Sequence, residues 1–298
     1  MKTAIITGAS SGLGREFARQ LTDIFPEIEC CWLIARREER LEEVAREMVG
    51  VETVCLPLDL CDSMSFTTLQ EKLAAEKPEV AILINNAGCG YLGRMGETET
   101  AVQTRMVDLN VRAMTAMTNL VIPYMPAGGR ILNTSSIASF CPTPRMTVYG
   151  ASKAYVSSFT VGLSEELKRR DITVTAVCPG PMKTEFLDVG SITGRSPAFE
   201  YLPYCDQVRV AAGAAGRQGG QDYVHAAAVL QILPAAGQGH AGEADGKIYQ
   251  NLKCHGIVTH SDSGMCYNLH WYPARYPRKA LGMEMRIAGS HHKPAKRL

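Results

Sequence analysis

A phenol and an ammonium stand four residues apart in Tyr149-Gly150-Ala151-Ser152-Lys153. On a helix that spacing puts both side chains on one face. A free tyrosine titrates near about pH 10 and is a poor proton donor or base in neutral solution. A lysine held beside it favours the phenolate, lowers that pKa and suits the group for proton transfer. The same pair also occurs as plain helix-surface decoration, so it needs company. Ser136 stands thirteen residues before Tyr149, closing Arg130-Ile131-Leu132-Asn133-Thr134-Ser135-Ser136, which reads as a buried strand ending in hydroxyls. Hydroxyl, phenol and ammonium together would act on a carbonyl or alcohol oxygen.

A glycine loop opens the chain. Thr3-Ala4-Ile5-Ile6-Thr7 is a short β-branched run, Gly8-Ala9-Ser10-Ser11-Gly12-Leu13-Gly14 follows, and Arg15–Leu21 begins a helical pattern. Strand, glycine turn and helix form the context of a dinucleotide loop, with the helix N-terminus turned to a pyrophosphate. The spacing is Gly-x-x-x-Gly-x-Gly, which differs from the commoner Gly-x-Gly-x-x-Gly. The second apolar run, Cys30–Ala35, ends in Arg36 and Arg37. NAD sites place an acid near this position for the ribose 2′-hydroxyl. A guanidinium suits a 2′-phosphate instead, so Arg36 is assigned to NADP and Arg37 to the charged face of the helix that follows.

Taken together, these residues resemble the short-chain dehydrogenase/reductase family over roughly residues 1–213. Thr7–Gly14 matches its cofactor loop, with Gly8, Ser10, Ser11, Gly12, Leu13 and Gly14 as contacts. Asp59, in Leu58-Asp59-Leu60, matches the acid at the adenine. Asn85-Asn86-Ala87-Gly88 matches the motif after the fourth strand, and Asn110 matches the helix asparagine of the proton relay. Ser136, Tyr149 and Lys153 match the catalytic set, while Pro179-Gly180-Pro181 and Thr184 match the segment over the nicotinamide. The resemblance implies a doubly wound parallel Rossmann-like sheet, NAD(P), and hydride transfer on a small carbonyl or alcohol, and the reading of Arg36 makes NADP the expected form in preference to NAD. It also implies assembly as a dimer or tetramer. A catalytically silent dinucleotide-binding regulator of the same fold is the rival expectation.

Bulk properties bound the rest. The chain has 298 residues, with 31 basic and 30 acidic residues for a net charge of +1, which points to neither nucleic acid nor an anionic membrane surface. No apolar run reaches membrane-span length. Most of the cysteines before residue 179 lie in or beside predicted strands, as small buried hydrophobes, so a reducing, cytoplasmic compartment is expected. Strands are predicted at Val51–Leu58, Val80–Ile84, Arg130–Thr134 and Ile172–Cys178, and helices at Glu38–Met48, Ser63–Ala75, Thr98–Tyr124 and Tyr149–Arg170. Such alternation predicts a parallel sheet covered on both faces. Leu187–Tyr204 is expected to be a substrate loop, with Tyr91, Arg94, Phe140, Arg145, Phe186 and Tyr201 as candidate lining.

Near residue 214 the chain changes character. All seven histidines follow residue 224, and Gly/Ala-rich sequence replaces the strand–helix alternation. Cys254, His255, His260, Cys266 and His270 fit no closed zinc module by spacing, so no metal site is assigned. Residues 214–298 are expected to be an atypical tail: a second domain, a disordered segment, or the preferred reading, translation in a displaced frame. Read one nucleotide later from Ala214, permitted codons encode a family-like ending with a stop across Leu252 and Lys253. A displaced frame would leave an inactive or impaired product.

Overall fold

A computed structural model describes residues 1–140, 143–179 and 185–186. The expected substrate loop at 187–204, the boundary near 213 and the tail after it lie outside the described residues, as do Gly180, Pro181, Thr184 and Tyr201.

Among the described residues six strands make the sheet: β1 Lys2–Thr7, β2 Cys30–Ala35, β3 Glu52–Pro57, β4 Glu79–Asn85, β5 Arg130–Thr134 and β6 Thr173–Val177. All neighbours pair in parallel, in the order β3-β2-β1-β4-β5-β6. The helices are α1 Gly12–Ile24, α2 Glu38–Glu47, α3 Met64–Glu76, α4 Thr100–Val107, α5 Met114–Val121 and α6 Thr147–Leu167. This is the doubly wound α/β fold that the sequence predicts. The strand order reverses between β1 and β4, and such a switch point opens a crevice beyond the carboxyl ends of the strands.

Alternation along β1 builds the two faces. Ile5 joins Trp32, Leu83 and Ile131 in a core capped by Leu69 and Leu73 of α3, Met117 and Val121 of α5, and Leu163 and Leu167 of α6. Ala4 and Ile6 point the other way, joining Leu33 and Ile84 under Phe17 and Leu21 of α1 and Leu41 and Val44 of α2. Burial on both faces is why these strands read as continuous apolar runs.

One expected helix is interrupted. Thr98–Tyr124 resolves into α4, a π-helical turn at Asp108–Ala113, α5 and a 3-10 turn at Ile122–Tyr124. A π turn shifts the hydrogen-bond register by one residue and re-aims its side chains, something hydrophobic spacing does not reveal. The turn contains Asn110.

A polar belt ties strands to helices near the site. Asn85 and Asn133 are register partners on β4 and β5. Asn85 Nδ2 donates to Asn133 Oδ1 and to Thr118 Oγ1, each at 2.9 Å, and Asn133 Nδ2 donates to Thr160 Oγ1 at 3.0 Å. Asn133 is fully buried, so losing its amide strands polar groups in the core. Asn133→Ala should therefore destabilise the fold by about 1–3 kcal/mol in urea unfolding, and a change below about 0.5 kcal/mol would show the belt to be energetically idle.

Candidate active site

The carboxyl ends of β1 and β4 are locked together by Thr7. Its hydroxyl accepts from the backbone N–H of Asn86 and of Ala87, each at 3.0 Å, and lies 3.3 Å from the Ile84 carbonyl, to which it donates. Asn86 Nδ2 returns hydrogen bonds to the carbonyls of Thr7 at 3.2 Å and Gly8 at 3.3 Å. Asn86 thus acts first as a brace between the two loops. The approach is so close that a Cβ on Gly8 would sit 2.9 Å from Ala87 Cα, and one on Gly14 would sit 2.1 Å from the Gly8 carbonyl oxygen. Gly8 also holds φ +67°, a left-handed conformation that suits glycine.

This loop fits a dinucleotide phosphate. α1 starts at Gly12 with Ser11 at its N-cap, no side chain caps it and no acid occupies its first turn. Its N–H groups and partial positive charge are therefore open to an anion. Ser10 is nearly buried beside them, and Leu13 packs inward, leaving its backbone in the turn.

Beyond β2, Arg36 is exposed at a bend and lies close enough to Asp59 to favour its charged form. Arg37 occupies the N-cap position of α2, and its side chain does more than begin that helix's charged face. Arg37 Nη2 reaches back to Ser10 Oγ at 3.4 Å and pairs with Glu185 Oε2 at 2.8 Å. Sequence spacing alone missed Glu185, whose only signal was its place one residue beyond Thr184. Asp59 sits after β3, where burial alone would raise its pKa. The Cys61 amide at 2.9 Å and the Arg105 guanidinium at 3.2 Å outweigh that and hold the carboxyl below its ordinary range.

The three reactive side chains converge at the ends of β5 and α6. Ser136 follows β5, is 7% exposed, accepts from the Ala138 N–H at 3.1 Å and lies close enough to Tyr149 to draw the phenol's pKa down. Tyr149 lies in the first turn of α6 among Leu92, Met106 and Met146, with the Phe186 ring centroid 5.7 Å away. Lys153, one turn on, is 4% exposed; its Nζ donates to the Thr134 carbonyl at 2.8 Å and stands 5.9 Å from the Tyr149 ring centroid. Gly88 makes room for it, since a Cβ there would come within 3.3 Å of Lys153 Nζ and 3.1 Å of Asn110 Oδ1.

Asn110 is 2% exposed and its amide clamps one residue on both sides: Oδ1 accepts from the Cys89 N–H and Nδ2 donates to the Cys89 carbonyl, each at 2.8 Å. Nδ2 also donates to Ser152 Oγ at 2.9 Å, and Ser152 passes its own proton to the Tyr149 carbonyl at 2.7 Å. Ser152, silent in the sequence except as a residue between Tyr149 and Lys153, thus links the π turn to α6. Pro179 is buried after β6, and its carbonyl accepts from the Ile137 N–H at 3.2 Å, beside Ser136.

The electrostatics differ in one respect from the expectation that Lys153 lowers the Tyr149 pKa. Burial dominates and pushes the Tyr149 phenol up to about 12, with the neighbouring Ser136 hydroxyl pulling the other way. Burial likewise pushes the Lys153 ammonium down to about 8. A phenol held neutral by burial beside a serine hydroxyl is equipped to give a proton to an oxygen that becomes negative. Next to it, a cavity of about 670 Å³ is lined by Tyr91, Leu92, Arg94, Val102 and Arg145, and shares Tyr91 and Leu92 with the Tyr149 cluster. Phe140 is 56% exposed.

Comparison with known proteins identifies the family. Residues 2–193 match the family model for short chain dehydrogenase. Sulfoacetaldehyde reductase 2 of Chromohalobacter salexigens is 36% identical over 189 residues, covering 61% of this chain and 73% of that protein. The very-long-chain 3-oxoacyl-CoA reductase of Anas platyrhynchos is 32% identical over 227 residues, covering 72% of this chain and 69% of its own. A solved short-chain dehydrogenase from Sphingobium yanoikuyae in complex with NADPH superposes with a TM-score of 0.58 at 31% identity, over 64% of this chain and 76% of that one. The chain belongs to the short-chain dehydrogenase/reductase family of oxidoreductases.

Proposed function

We propose that this protein is an NADP(H)-dependent oxidoreductase that interconverts a carbonyl and an alcohol, with Ser136, Tyr149 and Lys153 as its proton relay. The observation that carries this reading is the convergence of buried Ser136, Tyr149 and Lys153 at the carboxyl edge of the strands, next to the glycine loop. The bound nicotinamide would supply or accept the hydride. Gly8, Ser10, Ser11, Gly12, Leu13 and Gly14 would hold the phosphates, Arg36 the 2′-phosphate with the Arg37 guanidinium beside it near Ser10, and Asp59 the adenine. Asn86, Ala87, Gly88, Pro179, Gly180 and Thr184 would flank the nicotinamide half, and Tyr149 and Lys153 its ribose. NADPH in the Sphingobium yanoikuyae relative supports the cofactor class.

The protein's own part is orientation and proton transfer. Ser136 Oγ would hydrogen-bond the substrate oxygen and fix its direction. Tyr149, kept protonated by burial, would donate its phenolic proton as the oxygen gains charge. Lys153 would stabilise the phenolate left behind, since a charged ammonium near a nascent phenolate lowers its energy. Asn110 would hold Gly88 against the lysine through its two bonds to Cys89. A neutral phenol is a donor before it is a base, so near neutral pH Tyr149 is set to protonate a carbonyl oxygen. Exposed Val107, Tyr155 and Val161 on α4 and α6 support a homo-dimer or tetramer. Among the described residues no helix is long and apolar enough to cross a membrane.

Two outcomes test this. Tyr149→Phe deletes only the phenolic proton, so NADPH oxidation by a panel of ketones and aldehydes should fall about 10²–10⁴-fold while NADPH still binds. Retained turnover in that variant would remove Tyr149 from the mechanism, and wild-type protein that binds NADPH yet reduces nothing would favour the silent regulator. The buried lysine adds a stability signature. Its folded pKa of about 8 lies below the unfolded value of about 10.4, so the unfolded chain binds more protons between them. Stability of the wild type relative to Lys153→Met should therefore rise as pH climbs from about 8 to about 10, followed by denaturant unfolding at each pH. A pH-independent difference would mean that Lys153 is not a desolvated ammonium.

A further inference from the structure

Glu185 puts a carboxylate where a cofactor phosphate is wanted. Its Oε2 lies 2.8 Å from Arg37 Nη2, the same nitrogen that lies 3.4 Å from Ser10 Oγ of the glycine loop. Ser11, whose hydroxyl does not cap α1, lies close enough to Glu185 to favour its charged form. Hydrogen bonding from Arg37 leads in keeping the carboxyl below its ordinary range, with help from Ser11 and Arg40 and against burial. One acid therefore bridges the N-cap of α2 and the N-cap of α1. These are the two places that flank the ribose and phosphates of a dinucleotide bound at this loop. Among the described residues, Glu185 is the ion-pair partner of Arg37.

We propose that Glu185 is a specificity-determining residue that weakens the protein's preference for NADP(H) over NAD(H) by competing with the 2′-phosphate for Arg37. The proposal rests on the dinucleotide reading above and adds a residue that acts against it. A phosphate monoester carries about −1.5 to −2 charge, so it displaces one carboxylate from a guanidinium, but only after that pair is broken. If Arg37 is partly engaged by Glu185, the apparent affinity for the phosphate falls by the fraction engaged. A displaced Glu185 carboxylate still faces the phosphate and repels it. The 2′-hydroxyl of NADH makes no such demand, and a nearby acid can accept its proton. Both partners are about half exposed, at 48% and 46% of their side-chain surface, so the effect is modest.

The test is calorimetric titration of the full chain with NADPH and with NADH, for the wild type, Glu185→Gln, Arg37→Gln and the double variant. Glu185→Gln should tighten NADPH about two- to fivefold and leave NADH unchanged or slightly weaker. The gain should vanish in the Arg37→Gln background, because the competition needs the guanidinium. Glu185→Ala should reproduce it, since loss of the carboxylate and not the new amide is the cause. NADPH affinity unchanged by Glu185→Gln, or NADPH and NADH tightened equally, would overturn the role of Glu185 and leave the cofactor assignment standing. Wild-type protein that binds neither dinucleotide would overturn the cofactor assignment, and the role of Glu185 with it.

Discussion

An ammonium at 4% exposure is the constraint around which the site is built. Burial disfavours the charged form, and the cost is tolerable only if the proton finds a partner and the space is made for it. The Thr134 carbonyl is that partner, at the end of β5. The space exists because residue 88 has no side chain. Residue 88 is in turn held by Asn110 through Cys89, and Asn110 reaches Cys89 from a π turn rather than a regular helix. Ser152 then carries the same network into the backbone of α6 at Tyr149. Phenol, ammonium and serine are thus positioned by a chain of close contacts, any of which one methyl group would disturb.

A second set of contacts serves the other half of the cleft. Thr7 and Asn86 bind the first and fourth strand ends face to face, and only glycines at 8 and 14 allow the approach. The two ends of the cleft therefore share a wall, Asn86–Gly88, braced by Thr7 on one side and by Asn110 on the other. Such a shared wall sets the loop that suits phosphates and the group suited to proton transfer in one frame.

Much of this was legible in the residues. Strand runs such as Cys30–Ala35 are apolar throughout because both faces are buried, and that pattern carries the parallel sheet directly. Tyr149 and Lys153 were legible because helical spacing is rigid. Other features were not. The π turn at Asp108–Ala113 has the composition of a normal helix, so its shift of register leaves no mark in hydrophobic spacing. Arg37 and Glu185 are 148 residues apart, and nothing local announces a contact over that separation. The sign of the tyrosine shift also depends on burial around Leu92, Met106 and Met146, which the Tyr-x-x-x-Lys spacing does not encode. The assignment of the segment after residue 213 rests on the histidine distribution, the end of the strand–helix alternation and codon compatibility, and lies outside the described residues.

The central claim is that Tyr149 keeps its proton until a carbonyl oxygen takes it. Ultraviolet difference titration of the wild type against Tyr149→Phe, without nucleotide, isolates that phenol from the other tyrosines. With burial pushing the group up to about 12, the difference spectrum should show no phenolate below about pH 10, the ordinary tyrosine range. A phenolate band growing in at about pH 7–8 would contradict this, and would make Tyr149 a base set by Lys153 rather than a donor set by burial.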